Sequence, residues 1–170
     1  MRTASIQELK QELQHQDAAA VRALCLRLAK FKKENKELLT YLLFEAHDEH
    51  GYIESIKALT DEEFTGLPKS SAYLTKKSLR KILRIVNKYV RYSGSKLVET
   101  VLLLHFCRQM EDRGILETKT SRLSALFRQS DPIAKIYAQQ LKKAGAALEQ
   151  LHEDLQYDYR KELDQLSSSK

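Results

Sequence analysis

The densest group of side chains that could ligate a metal lies between residues 45 and 50. His47 and His50 are three residues apart, a spacing that places both imidazoles on one side of a helix. Carboxylates at Glu45 and Asp48 would complete the ligand set and predict a metal-dependent enzyme. The pattern lacks the four-residue histidine spacing of zinc metalloproteases. The favoured alternative is a polar helix end, where the helix dipole stabilises cationic histidine.

Other motifs with catalytic spacing are scarce. Glu149 and His152 have the Glu-x-x-His spacing of di-iron helix bundles, but such a site needs a second pair and the sequence has none. Nucleophile elbows, phosphate-binding loops and dinucleotide fingerprints are absent, and five glycines leave little material for them. The sequence therefore favours a protein that is not an enzyme and that needs no cofactor.

A second group of residues suits anion binding. Five cations follow one another at steps of four, three, four and three residues: Lys77, Lys81, Arg84, Lys88 and Arg91. On a helix they form one stripe about 20 Å long, at 1.5 Å per residue. Lys76 and Arg80 widen it, while Tyr73 and Tyr92 lie near its ends. A row of cations beside aromatic rings suits a nucleic acid, so the stripe predicts nucleic-acid binding by the helix spanning about 71–92.

The positive charge of the chain is concentrated around this stripe. Lys and Arg number 29 against 23 Asp and Glu, for a net charge of +6. Residues 69–113 contain eleven basic and three acidic residues, whereas segment 45–63 contains seven acidic residues and one lysine. The favoured interpretation is a helix face that is solvated or neutralised by segment 45–63. An anionic membrane surface or an acidic protein partner is a further alternative.

Helical periodicity dominates the elements that must position these residues. Breakers are few, with five Gly and two Pro, and the alternation of apolar and polar residues typical of a half-buried strand is missing. The fold class is therefore predicted to be all-α. About eight helices are predicted, near 5–14, 17–31, 36–50, 53–64, 71–92, 95–114, 121–128 and 132–166.

Several helix ends are marked by capping residues. Ser5 and Glu8 have the spacing of a capping box, and Asp17 is placed to cap the second helix. Gly51 is predicted to close the third helix in the left-handed conformation. The sixth helix, with its run of valine and leucine, is predicted to be the most buried element.

Short loops predict that the helices pair as antiparallel hairpins, in a bundle or in a short HEAT-like or tetratricopeptide-like array. Residues 1–130 are predicted to form this helical-hairpin domain. Residues 131–170 are predicted to form a long C-terminal helix with a heptad seam from Tyr137 to Leu155. Two alternatives follow for that helix: a kink near Gly145 that folds it back on the same domain, or a contact between two identical subunits.

Export and membrane insertion are not expected from the sequence. The polar N-terminus is unlike a secretory signal, and the longest purely apolar run, 101–104, is far too short to span a bilayer. Cys25 and Cys107 are interpreted as buried apolar side chains of a cytoplasmic protein. The leading functional hypothesis is a protein–protein interaction or scaffold module with a protein partner; nucleic-acid binding comes second and the metal-dependent enzyme third.

Overall fold

A computed structural model describes residues 2–68, 71–116 and 132–168. Within these ranges the chain forms eight α-helices, one π-helical turn and no strand, which confirms the predicted all-α class. The helices are α1 Ile6–Gln14, α2 Ala18–Phe31, α3 Lys33–Thr40, the π-helical turn Tyr41–Glu45, α4 Glu49–Thr65, α5 Ala72–Ser93, α6 Lys96–Asp112, α7 Pro132–Leu148 and α8 Glu153–Ser168. None of the helices in the described ranges combines the length and the apolar composition needed to cross a membrane.

The chain divides into two compact units, Met1–Ala46 (the N-terminal unit) and His47–Lys170 (the C-terminal unit). The predicted helix at 121–128 and the predicted domain boundary at residue 130 lie outside the described residues. The antiparallel pairing and the repeat-like array stay predictions.

The N-terminal unit begins with two helices whose caps are as predicted. Ser5 Oγ accepts from the Glu8 amide at 3.2 Å, and the Glu8 carboxylate accepts from the Ser5 amide at 2.7 Å. The Asp17 carboxylate accepts from the Ala20 amide at 2.6 Å at the start of α2. A single extended residue, Lys32, separates α2 from α3, and the two helices contact each other.

In the C-terminal unit α6 lies at the centre and contacts α4, α5, α7 and α8. Nine of its 17 residues are buried, more than in any other described helix, as predicted. Gly94 adopts a positive φ of 64° to end α5, and the Ser95 side chain then caps α6. Phe106 of α6 packs on Phe64 of α4 with ring centroids 5.3 Å apart. Helix α5 contacts α4 and α6 and buries Leu79, Ile82, Val86 and Val90 in this core.

The third helix does not continue to His50, so that prediction is wrong. Asp48 starts a new helix: its carboxylate accepts from the Gly51 amide at 2.9 Å and caps α4. Gly51 lies inside the first turn of α4 and not in a left-handed cap. A Cβ added to Gly51 would lie 2.2 Å from Asp48 Oδ2, so a larger residue here would displace the Asp48 carboxylate from its capping position.

The predicted long C-terminal helix is also wrong as a single element. The chain turns at residues 149–152 between α7 and α8, with the amides of Gln150 and Leu151 bonded to carbonyls three residues earlier. The helix α8 then packs on α6 and α7 of the same unit. The chain folds back at 149–152 and not at Gly145, because tight three-residue hydrogen bonds replace the helical pattern there.

The heptad seam is used inside the C-terminal unit. Its first four residues are buried in α7: Tyr137, Leu141, Ala144 and Leu148. These four residues therefore belong to the core of the C-terminal unit, and the contact between two identical subunits stays a prediction.

Candidate functional surfaces

The most prominent surface of the N-terminal unit is an apolar row on α2, called here the α2 row. It consists of side chains spaced three or four residues apart: Val21, Leu24, Cys25, Leu28 and Phe31. Leu28 is 60% exposed and Phe31 is 76% exposed, Leu24 and Cys25 are also exposed, and Val21 is half-buried. The sequence interpretation of Cys25 as a buried side chain is therefore wrong, whereas the same interpretation of Cys107 is confirmed.

Other large apolar side chains of the N-terminal unit are exposed as well. On α1 they recur at helical spacing, and in the π-helical turn they are consecutive: Ile6, Leu9, Leu13, Leu42, Leu43 and Phe44. Of residues 2–46, Tyr41 alone is buried. Apolar exposure on this scale marks binding surfaces in folded proteins.

Positive charge surrounds the α2 row. Residues 18–36 contain six basic side chains and one acidic side chain. The basic residues are Arg22, Arg27, Lys30, Lys32, Lys33 and Lys36, all exposed. The apolar row is thus bordered by cations, which favours a partner that carries carboxylates beside its own apolar groups.

On α5 two residues of the predicted basic stripe, Lys81 and Lys88, contact other side chains of the C-terminal unit. Lys81 Nζ lies 2.8 Å and 3.0 Å from the two carboxylate oxygens of Glu63 on α4. Lys88 Nζ lies 4.5 Å from the centre of the Tyr89 ring and 6.0 Å from that of Tyr92. Both residues are therefore engaged within the C-terminal unit. Arg91 is exposed near the end of α5.

The first half of α5 carries a different set of cations, called here the basic cluster: Lys76, Lys77, Arg80 and Arg84. Together with Tyr73 and Leu83 they line a shallow depression of about 550 Å³. Among the described residues no carboxylate lies within 4.0 Å of their charged nitrogens. Lys76 and Arg80, which the sequence placed only at the margin of the stripe, are therefore central to this site.

The acidic segment 45–63 neutralises little of this face. Of its carboxylates, Glu63 pairs with Lys81, Glu54 pairs with Lys57 at 2.8 Å, and Asp61 lies 2.7 Å from His105 Nε2. Segment 45–63 therefore neutralises Lys81 through Glu63, and among the described residues none of its carboxylates lies within 4.0 Å of the charged nitrogens of the basic cluster.

The candidate metal ligands are not brought together. Glu45 ends the π-helical turn, His47 follows it, and Asp48 uses its carboxylate to cap α4, the helix that contains His50. No group of three or more His, Cys, Asp or Glu side chains suited to a metal ion occurs in the described parts of the chain. Capping withdraws Asp48 from ligation, because its oxygen is already bonded to a backbone amide.

The two side chains of the Glu-x-x-His pair, Glu149 and His152, also contact other residues. The Glu149 carboxylate accepts from Arg160 at 2.6 Å, and His152 Nδ1 lies 3.3 Å from the carboxylate of Asp154. These contacts hold the turn between α7 and α8. The pair therefore has a structural use in the C-terminal unit.

Comparison with known proteins gives no relative to assist the assignment: no family model, curated protein or solved structure matches the chain.

Proposed function

We propose that the chain is a helical protein-interaction module whose N-terminal unit binds an acidic amphipathic helix of a protein partner. The observation that carries the proposal is the exposure of the α2 row. Leu24, Leu28 and Phe31 lie on one helix face, yet all three are exposed in the folded chain.

The spacing of the row matches the geometry of helix recognition. From Val21 to Phe31 it is about 15 Å long, at 1.5 Å per residue. Partner helices are recognised through apolar anchors at positions i, i+3, i+4 and i+7, so the row matches about three turns of such a helix. Covering a leucine or phenylalanine side chain contributes about 1.5–3 kcal/mol when the burial is complete. Association itself costs about 4–15 kcal/mol, so useful affinity requires that several side chains of the row are covered together and that charge pairs form at its rim.

Charge decides between partners. A second copy of the chain would place its own cations against Arg27 and Lys30, and like charges across an interface are unfavourable. Acidic side chains on a partner helix would instead pair with them at the rim of the contact. An acidic amphipathic helix therefore fits the α2 row better than a second copy does.

The test is a titration of the full chain against two labelled peptides of about 20 residues. Both carry leucine at every third and fourth position, and their remaining positions are mainly glutamate in one peptide and mainly lysine in the other. Fluorescence anisotropy is expected to show binding of the acidic peptide at least about tenfold tighter than that of the basic one, a difference of about 1.4 kcal/mol.

Two outcomes would contradict the proposal. Equal affinity for both peptides, or affinity for neither, would remove the acidic helix as the partner. Light scattering that shows a stable dimer, converted to a monomer by Leu28→Gln, would assign the row to a second copy of the chain instead.

A further inference from the structure

We infer that the basic cluster on α5, together with Tyr73, is a binding site for single-stranded nucleic acid. This site is separate from the α2 row and does not depend on the function proposed for it. Three features support this inference: the cations that contact no described carboxylate, the ring beside them and the burial of the opposite face of α5.

The cations of the basic cluster, which contact no carboxylate among the described residues, follow one line of the helix. Lys77, Arg80 and Arg84 are three and four residues apart, so a cation recurs about once in each 5.4 Å turn. Within the described ranges Arg84 Nε donates to the carbonyl of Arg80 over a long distance of 3.4 Å. The guanidinium groups of Arg80 and Arg84 keep donors for phosphate oxygens, which arginine binds in a fork geometry.

The aromatic ring distinguishes this site from a plain patch of charge. Tyr73 is 72% exposed and lies one turn before Lys76 and Lys77, at the rim of the same depression. An exposed ring beside a row of cations matches the stacking platforms of proteins that bind single strands. A base must leave its stack to reach such a ring, and the bases of a duplex are not free to do so.

The buried side of α5 argues against a membrane. Leu79, Ile82 and Val86 are at most 1% exposed, because they form part of the core of the C-terminal unit. A helix that lies in a membrane interface must insert its apolar face among the lipids. The apolar face of α5 is not available for this, so the cations are left to act on a polyanion in solution.

An acidic peptide would use less of the site than a nucleic acid. Carboxylates can pair with the cations but offer no planar group to stack on Tyr73. Phosphates and bases together use the cations, the ring and the depression between them, so the observations favour the nucleic acid.

The experiment measures binding of the full chain to a labelled oligothymidine strand of about 20 nucleotides, to a duplex of the same length and to a polyglutamate peptide. The single strand is expected to bind tightest. Four neutralised phosphates predict a slope of log K against log salt of about −2.8, so affinity falls about 50-fold between 50 and 200 mM salt.

Two exposed positions on α7 give a matched control. The double variant Lys77→Gln/Arg80→Gln is expected to halve the salt slope to about −1.4, because it removes two phosphate contacts. The control Lys135→Gln/Lys142→Gln removes the same charge elsewhere and is expected to leave the slope near that of the unaltered chain. Loss of affinity in both variants alike would show a nonspecific charge effect and overturn the site.

Substitutions at Tyr73 test the stacking. Tyr73→Phe is expected to keep the affinity for the single strand, whereas Tyr73→Ala is expected to lower it about five- to 150-fold. Because the ring is exposed, neither change removes core packing. Three results would overturn the inference. The first is equal binding of the three ligands, the second is tighter binding of the duplex or of polyglutamate, and the third is equal affinity of Tyr73→Ala and Tyr73→Phe for the single strand.

Discussion

Replacing Thr100 by valine is expected to stabilise the protein. Thr100 is fully buried in α6, and its hydroxyl has no hydrogen-bond partner among the described residues. A buried polar group without a partner costs about 1–3 kcal/mol, and valine has nearly the same shape without that group. Because both residues branch at Cβ, the helix propensity of α6 changes little. We expect Thr100→Val to raise the free energy of unfolding by about 1 kcal/mol.

The chain offers a matched control in α4. Thr60 is 1% exposed, but its hydroxyl donates to the carbonyl of Ile56 at 2.7 Å. Thr60→Val removes that hydrogen bond, which contributes about 1 kcal/mol to stability, and the added methyl group offsets only a small part of the loss. The expected stability of this variant is equal to or below that of the unaltered chain.

Urea unfolding followed by far-ultraviolet circular dichroism measures both variants. The expected order of midpoints places Thr100→Val highest and Thr60→Val lowest, with unchanged slopes because the surface exposed on unfolding is the same. A lower urea midpoint for Thr100→Val, or a midpoint for Thr60→Val raised as much as that of Thr100→Val, would refute the assignment of an unpaired hydroxyl at Thr100.

Two further predictions concern buried groups of the C-terminal unit. Burial raises the pKa of the Cys107 thiol to about 12, and the charge of Glu111 adds to this; a thiol reagent at pH 8 is therefore expected to modify exposed Cys25 rapidly and Cys107 only after unfolding. Equal rates for both thiols in the folded chain would contradict this. Tyr137 contacts Glu111 and donates to the carbonyl of Leu166 at 2.7 Å, so Tyr137→Phe is expected to cost about 1–2 kcal/mol in urea unfolding. Burial also raises the pKa of Tyr137 above its value of about 10 in the unfolded chain. The contribution of the Tyr137 hydroxyl to the free energy of unfolding is therefore complete below about pH 10 and is lost as the pH rises further. Above about pH 10 the free energy of unfolding of Tyr137→Phe should therefore approach that of the unaltered chain. A difference in free energy that stays constant or widens would contradict this pH dependence.

Local signals in the sequence predicted the helices well where capping residues mark their ends. Ser5 and Asp17 each accept a hydrogen bond from the amide three residues later, so the sequence alone contains the information. Asp48 was harder, because its carboxylate serves equally well as a metal ligand or as a helix cap. The start of α4 at Glu49 shows that Asp48 is a helix cap.

Exposure could not be predicted from periodicity. The α2 row and the core-facing row of α6 both repeat at three and four residues, but only α6 is surrounded by four other helices. Which face is covered depends on contacts between residues that are distant in the sequence. The same reason applies to Lys81, whose partner Glu63 is 18 residues away on a different helix.

The central claim is that the α2 row is a binding surface. Leu28 and Leu26 lie on the same helix and are 60% and 57% exposed, but they point to different faces, and only Leu28 belongs to the row. Each is changed to glutamine in the full chain, and the acidic amphipathic peptide is titrated against both variants. Leu28→Gln is expected to weaken binding of the peptide about tenfold, because it removes about half the burial energy of a leucine. Leu26→Gln is expected to leave the affinity unchanged. Equal affinities of the two variants, or a larger loss from Leu26→Gln, would contradict the claim.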